Sequence, residues 1–279
     1  MRIRCWGSRG SIPVSGSCYD RYGGDTTCME IWSEKGELVI VDAGSGLRRL
    51  GDKLEKEGVR RFDMLFTHAH VDHMMGFPFF TPIYHKETRA VIHGNPFSVP
   101  SYQTILKGFM TAPYCPVEFT DLPATVKFDK IGTRPFSLGS LRITPIPLSH
   151  PNGGMGFRFD EGNRSFVFLT DNELEYDGHP TGLSFDDYVE VCKGADLLIH
   201  DAEYTARDYK RSWGHSTVDA SVRLALKAGV RRLGLFHINQ RRTDAQVDQM
   251  ARSARTMIAR AQSVIRVDYV GSTFRCRLS

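Results

Sequence analysis

The sequence contains no run of about 18 apolar residues, so it offers no candidate membrane-spanning helix. Its start, Met1-Arg2-Ile3-Arg4-Cys5-Trp6-Gly7, has no apolar stretch behind the positive charges, which argues against a secretory signal and for a cytoplasmic protein. The six cysteines, Cys5, Cys18, Cys28, Cys115, Cys192 and Cys276, never approach a C-x-x-C spacing. That excludes a cysteine-based zinc module and leaves reduced, packed thiols as the expectation. Low-complexity stretches and charge blocks are also missing. With 41% hydrophobic and 24% charged residues, a mainly disordered or fibrous chain is excluded. The net charge of +4 is too mild to predict nucleic-acid binding by itself. Its distribution is uneven, because residues 205–279 carry 15 Lys and Arg against 5 Asp. Such a basic final quarter can steer an anionic substrate, or simply reflect the solvated faces of Arg-rich helices.

Short β-rich runs alternate with helical patterns along the chain. Residues 3–6 read as a strand that ends in the Gly-rich loop Gly7-Ser8-Arg9-Gly10-Ser11. Residues 28–32 and 37–41 flank Glu34-Lys35-Gly36 as a hairpin, and a helix over 47–56 stops at Gly58. Strands are expected over 62–67, 91–93, 157–159, 165–169, 196–200 and 232–236, and helices over 102–110, 217–228 and 244–261. Between residues 111 and 123, prolines predict a surface loop or flap. Each half leads with hairpin strands and then alternates with helices. The pattern predicts an α/β fold, an αββα sandwich of two mixed β-sheets with helices on the outer faces. A single domain over 1–279 is expected, with an apolar, Pro-rich insertion around 76–148.

The densest chemistry follows the strand at 62–67. Thr67-His68-Ala69-His70-Val71-Asp72-His73 packs three histidines and one carboxylate into six positions. At the extended end of a strand His68 and His70 share a period of two and point to one side. Asp72 and His73 lie where the chain turns away, so they can face a second point nearby. Imidazole and carboxylate together suit zinc, manganese or iron.

His68-x-His70-x-Asp72-His73 after a hydrophobic strand resembles the signature of the metallo-β-lactamase superfamily. Further matches follow in the family's order, each at the end of an apolar strand: Leu148-Ser149-His150, Leu169-Thr170-Asp171 and Leu235-Phe236-His237. The resemblance implies two divalent metal ions per chain, Zn or Mn, or else Fe. It places one ion on His68, His70 and His150 and the other on Asp72, His73 and His237, with Asp171 and a water or hydroxide between them. An aspartate rather than a cysteine at position 171 favours the hydrolase and phosphodiesterase branches over the β-lactam-cleaving one.

A second constellation points to the branch. Leu198-Ile199-His200-Asp201-Ala202-Glu203-Tyr204, followed by Gly214-His215-Ser216-Thr217-Val218-Asp219, is similar to segments of the phosphodiesterases that mature tRNA 3′ ends and of those that open cyclic nucleotides and phosphoribosyl cyclic phosphates. The loop from Gly7 to Pro13 and Tyr22-Gly23-Gly24-Asp25-Thr26-Thr27-Cys28 match the same relatives. Ser216 is expected to cap the next helix with Asp219 three residues on, and the helix start to favour an anion. His215, oriented by Asp201, would contact a phosphoryl oxygen or protonate the leaving alkoxide; with Asp72 these are the candidate catalytic residues. His200 matches no ligand and reads as a packed histidine near the site, and His85, His93 and His179 as surface or packing residues.

The long flexible arm of the tRNA-processing enzymes has no counterpart, since the chain carries no Gly-rich, basic insertion. The extra length around Phe77-Pro78-Phe79-Phe80 and Pro113-Tyr114-Cys115-Pro116 is apolar, and its aromatics read as core or homodimer contacts before a base-stacking platform. The expected activity is hydrolysis of a small or cyclic phosphodiester, a cyclic nucleotide or phosphoribosyl cyclic phosphate, by a metal-bridging hydroxide. A long tRNA-type substrate fits less well, and no membrane partner is expected. The alternatives are an acyl hydrolase using the same metal pair and a non-catalytic metal-containing sensor or partner protein.

Overall fold

Period-two alternation decides the architecture. A computed structural model describes residues 1–95 and 101–279. The first sheet is built from β1 (Arg2–Gly7), β2 (Cys28–Trp32), β3 (Leu38–Val41), β4 (Arg61–Leu65), β5 (Arg89–Gly94) and β6 (Thr125–Lys130), with β14 (Arg275–Arg277) on its edge. The second holds β7 (Phe136–Leu138), β8 (Leu141–Leu148), β9 (Gly154–Glu161), β10 (Arg164–Leu169), β11 (Leu197–Asp201), β12 (Arg232–Phe236) and β13 (Arg266–Tyr269). Each is a seven-stranded mixed sheet, in the orders β14-β1-β2-β3-β4-β5-β6 and β13-β12-β11-β10-β9-β8-β7. The expected αββα fold is therefore what the chain adopts.

Every second residue enters the layer between the sheets. Ile3 and Cys5, Val39 and Val41, Phe166 and Phe168, and Leu197 and Ile199 share one apolar cluster. Their neighbours Val167, Leu169 and Leu198 face the other way. There they meet α4 (Val218–Ala228) and α5 (Asp244–Arg260), while α1 (Gly46–Glu57) covers the outer face of the first sheet through Leu47, Leu50 and Leu54. Strands covered on both faces read as unbroken apolar runs, which is why those at 165–169 and 196–200 were visible in sequence. Aromatic pairs tighten the middle layer, as where Phe168 meets Phe236 edge-on at 5.2 Å between ring centroids.

Residues 76–148 contribute β5, α2 (Tyr102–Phe109), β6, β7 and β8. Pro145 and Pro147 lie within β8, on the stretch beyond its short pairing with β7, where the strand is paired with β9 alone. Phe77 and Phe80 are core, whereas Phe79 and Tyr114 are exposed. The last strand is a departure from the two-halves pattern: β14 returns from the second sheet to pair antiparallel with β1.

The start of α4 corrects a second expectation. Thr217, not Ser216, is the cap, its Oγ1 accepting the Ala220 N–H at 3.1 Å. Ser216 instead donates its hydroxyl to the Asn172 carbonyl at 2.6 Å and accepts the Leu174 N–H at 3.0 Å, tying two loops together. The anion at this helix start is the chain's own Glu175, whose Oε1 accepts from the Thr217 hydroxyl at 2.5 Å. Thr217→Ala should therefore lower the unfolding free energy by about 1 kcal/mol or somewhat more, read from urea midpoints at unchanged slope.

Candidate metal centre

The strand ends converge on one buried cluster. His68, His70 and His150 place ring nitrogens within 4.8 Å of one another, as do atoms of Asp72, His73 and His237, and Asp171 with His68 and His73. Asp171 lies between the groups, with Oδ1 3.1 Å from His237 Nε2 and Oδ2 3.3 Å from His73 Nε2. Asp72 Oδ2 is 3.4 Å from His73 Nε2 and 3.5 Å from His237 Nε2. All seven residues singled out in the sequence thus meet at one place.

Local backbone strain aims several of them. Asp171, His237 and Asp42 hold φ of 52°, 57° and 62°, left-handed values that a residue with a Cβ adopts at a cost of about 1–3 kcal/mol. Each follows the end of a strand, where the chain must reverse to leave a carboxylate or imidazole facing inward. Gly10 and Gly214 serve the same end by having no side chain. A Cβ on Gly10 would fall 2.1 Å from His237 Cε1, and one on Gly214 2.0 Å from His150 Nδ1.

Hydrogen bonds on the far side fix three of the rings. His73 Nδ1 donates to Asp42 Oδ2 at 2.8 Å, His237 Nδ1 to Glu203 Oε2 at 2.9 Å, and His150 Nδ1 to the Gly214 carbonyl at 3.0 Å. These bonds turn Nε2 of each ring inward, the arrangement that metal-ligating histidines use. Nε2 of His68, His73 and His237 are buried and have no hydrogen-bond partner. Three orphaned ring nitrogens facing two carboxylates are costly unless a cation fills the space between them. Burial pushes the His68 imidazole well down and that of His150 to about 3, so both offer lone pairs at neutral pH. Burial acts the same way on His73 and His237, but Asp171 and its neighbours outweigh it and hold these rings well above the usual range. The field that draws protons there would draw a divalent cation in their place. The residues fit the metal ions that the sequence implies.

Sequence reasoning missed the supports. Asp42 is fully buried and also takes the Thr67 N–H at 2.8 Å and the Thr67 hydroxyl at 2.7 Å. Glu173 accepts from the Tyr209 hydroxyl at 2.6 Å, the Ser212 N–H at 2.7 Å, the Gly214 N–H at 2.7 Å and His179 Nε2 at 2.8 Å. It anchors loop 205–214, which leads to His215, and gives His179 a defined task. An acidic residue two places after Asp171 was the only signal for it. His200 is a packed histidine: its Nδ1 donates to the Asp201 carbonyl at 2.7 Å, and its Nε2 accepts from Asn172 Nδ2 at 3.1 Å. Asn172 in turn accepts the Ser149 N–H at 2.9 Å, which steadies the residue before His150. His93 is buried against Asp63 at 2.7 Å and half-exposed His85 pairs with Glu55 at 2.9 Å, both away from the centre.

His215 lies at the rim. Its ring stacks on that of His237 with centroids 4.4 Å apart, and its Nδ1 donates to Asp201 Oδ2 at 2.8 Å. Asp201 also receives the N–H groups of Asp171 and Ser216, at 3.1 and 2.9 Å. Burial would lower the His215 pKa, but Asp201 and Glu203 outweigh it and the ring is held above its usual value.

A model of the β-lactamase superfamily domain matches residues 38–238. The chain belongs to the β-lactamase superfamily. A ribonuclease Z from Haloarcula marismortui is 24% identical and aligns over 91% of this chain and 91% of its own length. Among solved structures, the metallo-β-lactamase fold protein YhfI from Bacillus subtilis is similar with a TM-score of 0.72 at 18% identity, covering 99% of each chain. A diphosphatase of the PhnP family gives 0.70 at 20% identity, covering 100% of this chain and 98% of the other. Family and relatives make this superfamily member a metal-dependent hydrolase of the phosphodiesterase branch, one that carries the divalent-cation chemistry of its fold.

Two substitutions probe the centre. His70→Ala removes a candidate ligand, and Gly10→Ala pushes the His237 ring aside while leaving every candidate ligand residue in the sequence. Both should lower bound divalent metal per chain on elemental analysis, with metal affinity falling about 10–100-fold; unchanged metal content in His70→Ala would show that this ring is not a ligand.

Proposed function

We propose that the protein hydrolyses a small phosphodiester, cyclic or linear, with His68, His70 and His150 holding one cation, Asp72, His73 and His237 a second, and Asp171 both. Zn²⁺ and Mn²⁺ suit this nitrogen- and oxygen-rich donor set. Such cations would supply Lewis-acid stabilisation of phosphoryl charge and a coordinated water whose pKa falls to about 7. The chain's own residues do the rest. Asp201 holds the His215 ring by Nδ1 and, with Glu203, keeps it protonated more readily than a free imidazole. His215 is thereby suited to bind a phosphoryl oxygen or to give a proton to the departing alkoxide. Ser11 N–H donates to Asp72 Oδ2 at 2.8 Å, fixing that carboxylate toward the cations.

The observation that carries this reading is the Asp201–His215 pair stacked on His237. An acyl substrate has no need of a second acid at this spot. We assign the substrate's remaining group to a cavity of about 450 Å³ lined among others by Met75, Phe79, Phe109 and Tyr114, of which Met75 follows His73 by two residues in the chain. That volume suits one nucleoside-sized group. A structured RNA end is the second reading, favoured by the ribonuclease Z relatives and opposed by the lack of a basic, Gly-rich insertion.

With Mn²⁺ or Zn²⁺ the protein should cleave bis-p-nitrophenyl phosphate and at least one member of a cyclic-nucleotide panel, and leave lactones and thioesters largely untouched. Preferential cleavage of a 3′-extended tRNA would select the second reading, and no phosphodiester turnover at all would sink both. His215→Ala should reduce phosphodiester turnover about 10²-fold or more while metal content holds. Asp201→Asn removes a carboxylate that raises the His215 pKa, so the working, protonated ring is lost at lower pH. The alkaline limb of its pH–rate profile should therefore move down in pH.

A further inference from the structure

On the outer face of the first sheet, beyond the cover of α1, two arginine pairs lie directly opposite one another. In the antiparallel register of β1 and β14, Arg2 faces Arg277 and Arg4 faces Arg275. Like charges placed opposite on one face destabilise a strand pair. One carboxylate is interleaved, Glu30, which stands opposite Arg4 across the β1–β2 pair. The two acids of the groove, Glu30 and Glu57, are both taken by Lys53, at 2.5 and 2.9 Å. Glu34 lies 3.4 Å from Arg277 and is exposed. Arg2, Arg4 and Arg275 form no ion pair among the described residues. The Arg4 guanidinium stacks 3.6 Å above the Trp6 ring, and its buried Nε has no hydrogen-bond partner. The result is an open groove of about 560 Å³ lined by Arg2, Arg4, Lys53, Arg275, Arg277 and Trp32.

We infer that this groove is an anion site for closely spaced phosphate groups, those of a nucleoside polyphosphate or two neighbouring phosphates of an RNA strand. Guanidinium forks are the side chains best shaped for phosphate oxygens, and a stacked Arg such as Arg4 is pre-ordered for the task. Residues two apart on a strand are about 6.8 Å apart, close to the separation of successive phosphates along an extended nucleotide chain. Two such rows side by side form a compact array that an anion would relieve of its repulsion. The carboxylates present are outnumbered: Glu30 and Glu57 are shared with Lys53 and Glu34 serves Arg277, which leaves Arg2, Arg4 and Arg275 without an ion pair among the described residues. The site is separate from the metal centre and does not depend on the reaction assigned to it.

The test uses the metal-loaded protein and its Arg4→Gln/Arg275→Gln variant. Two probes are titrated, a fluorescent ATP analogue and a short labelled oligouridylate, with bis-p-nitrophenyl phosphate turnover as the control for the metal centre. Turnover should be the same in both proteins. At least one probe should bind the variant about tenfold or more weakly; for the oligonucleotide, the slope of log affinity against log salt should shrink by about 2. Selective loss of the ATP analogue would name a nucleotide as the source, and selective loss of the oligonucleotide an RNA strand. Thermal midpoints give a reading that a merely structural role would move the other way. Relief of repulsion should leave the variant, and the single Arg275→Gln on the exposed edge strand, as stable as the parent or more so at low salt. Equal affinity of parent and variant for both probes, or a clear drop in midpoint in both variants, would overturn the inference.

Discussion

Buried negative charge, and the need to compensate it, is the constraint from which the rest of this molecule can be understood. Asp72, Asp171, Asp201, Glu203 and Asp42 are all almost wholly removed from solvent and lie within a few side chains of one another. A carboxylate in such a place must be paired or neutralised, or the fold will not hold it. The histidines do part of this, and cations in the space between them would do the remainder. The two halves of the cluster divide accordingly. Asp42, Glu203 and Asp201 face outward nitrogens and hold rings in place, while Asp72 and Asp171 face the ring atoms that have nothing else to bond.

This division also explains why the two sheets are built so rigidly. A cluster of like groups tolerates little misplacement, and four strand ends from two sheets must deliver their side chains to one point. The apolar layer between the sheets fixes their separation, and strained residues at three strand ends supply the last change of direction. The energy stored there is small beside that of the layer, so the core can hold the site in a shape it would not adopt alone.

Much of this was legible in the sequence, and the limits are physical ones. The seven convergent residues were visible because each follows an apolar strand and the strands alternate with period two. The two mixed sheets were visible for the same reason. Thr217 was misjudged because Ser216 and Thr217 are both good caps, and only the tertiary pull of Asn172 and Leu174 decides between them. β14 was missed, since three residues with arginines on one side resemble a solvated tail until a partner strand is known. Asp42 and Glu173 left almost no trace, as a lone acid reveals its role only through the hydrogen-bond donors that distant parts of the chain bring to it.

The contact of Gly10 with His237 links the first loop of the chain to one of its last strands. Arg9 reinforces it, donating from Nε to the Gly23 carbonyl at 2.8 Å and from its terminal nitrogen to the Arg242 carbonyl at 2.7 Å. A ribosome making this protein therefore completes the N-terminal loop long before the residues it must clasp exist. The cluster can close only when more than four-fifths of the chain has emerged, and it closes through contacts of very high sequence separation. Loading with cations would in this sense be a late event in the protein's own synthesis, and a truncated chain that stops short of β12 would keep six of the seven ligand-type groups yet never seal the chamber around them.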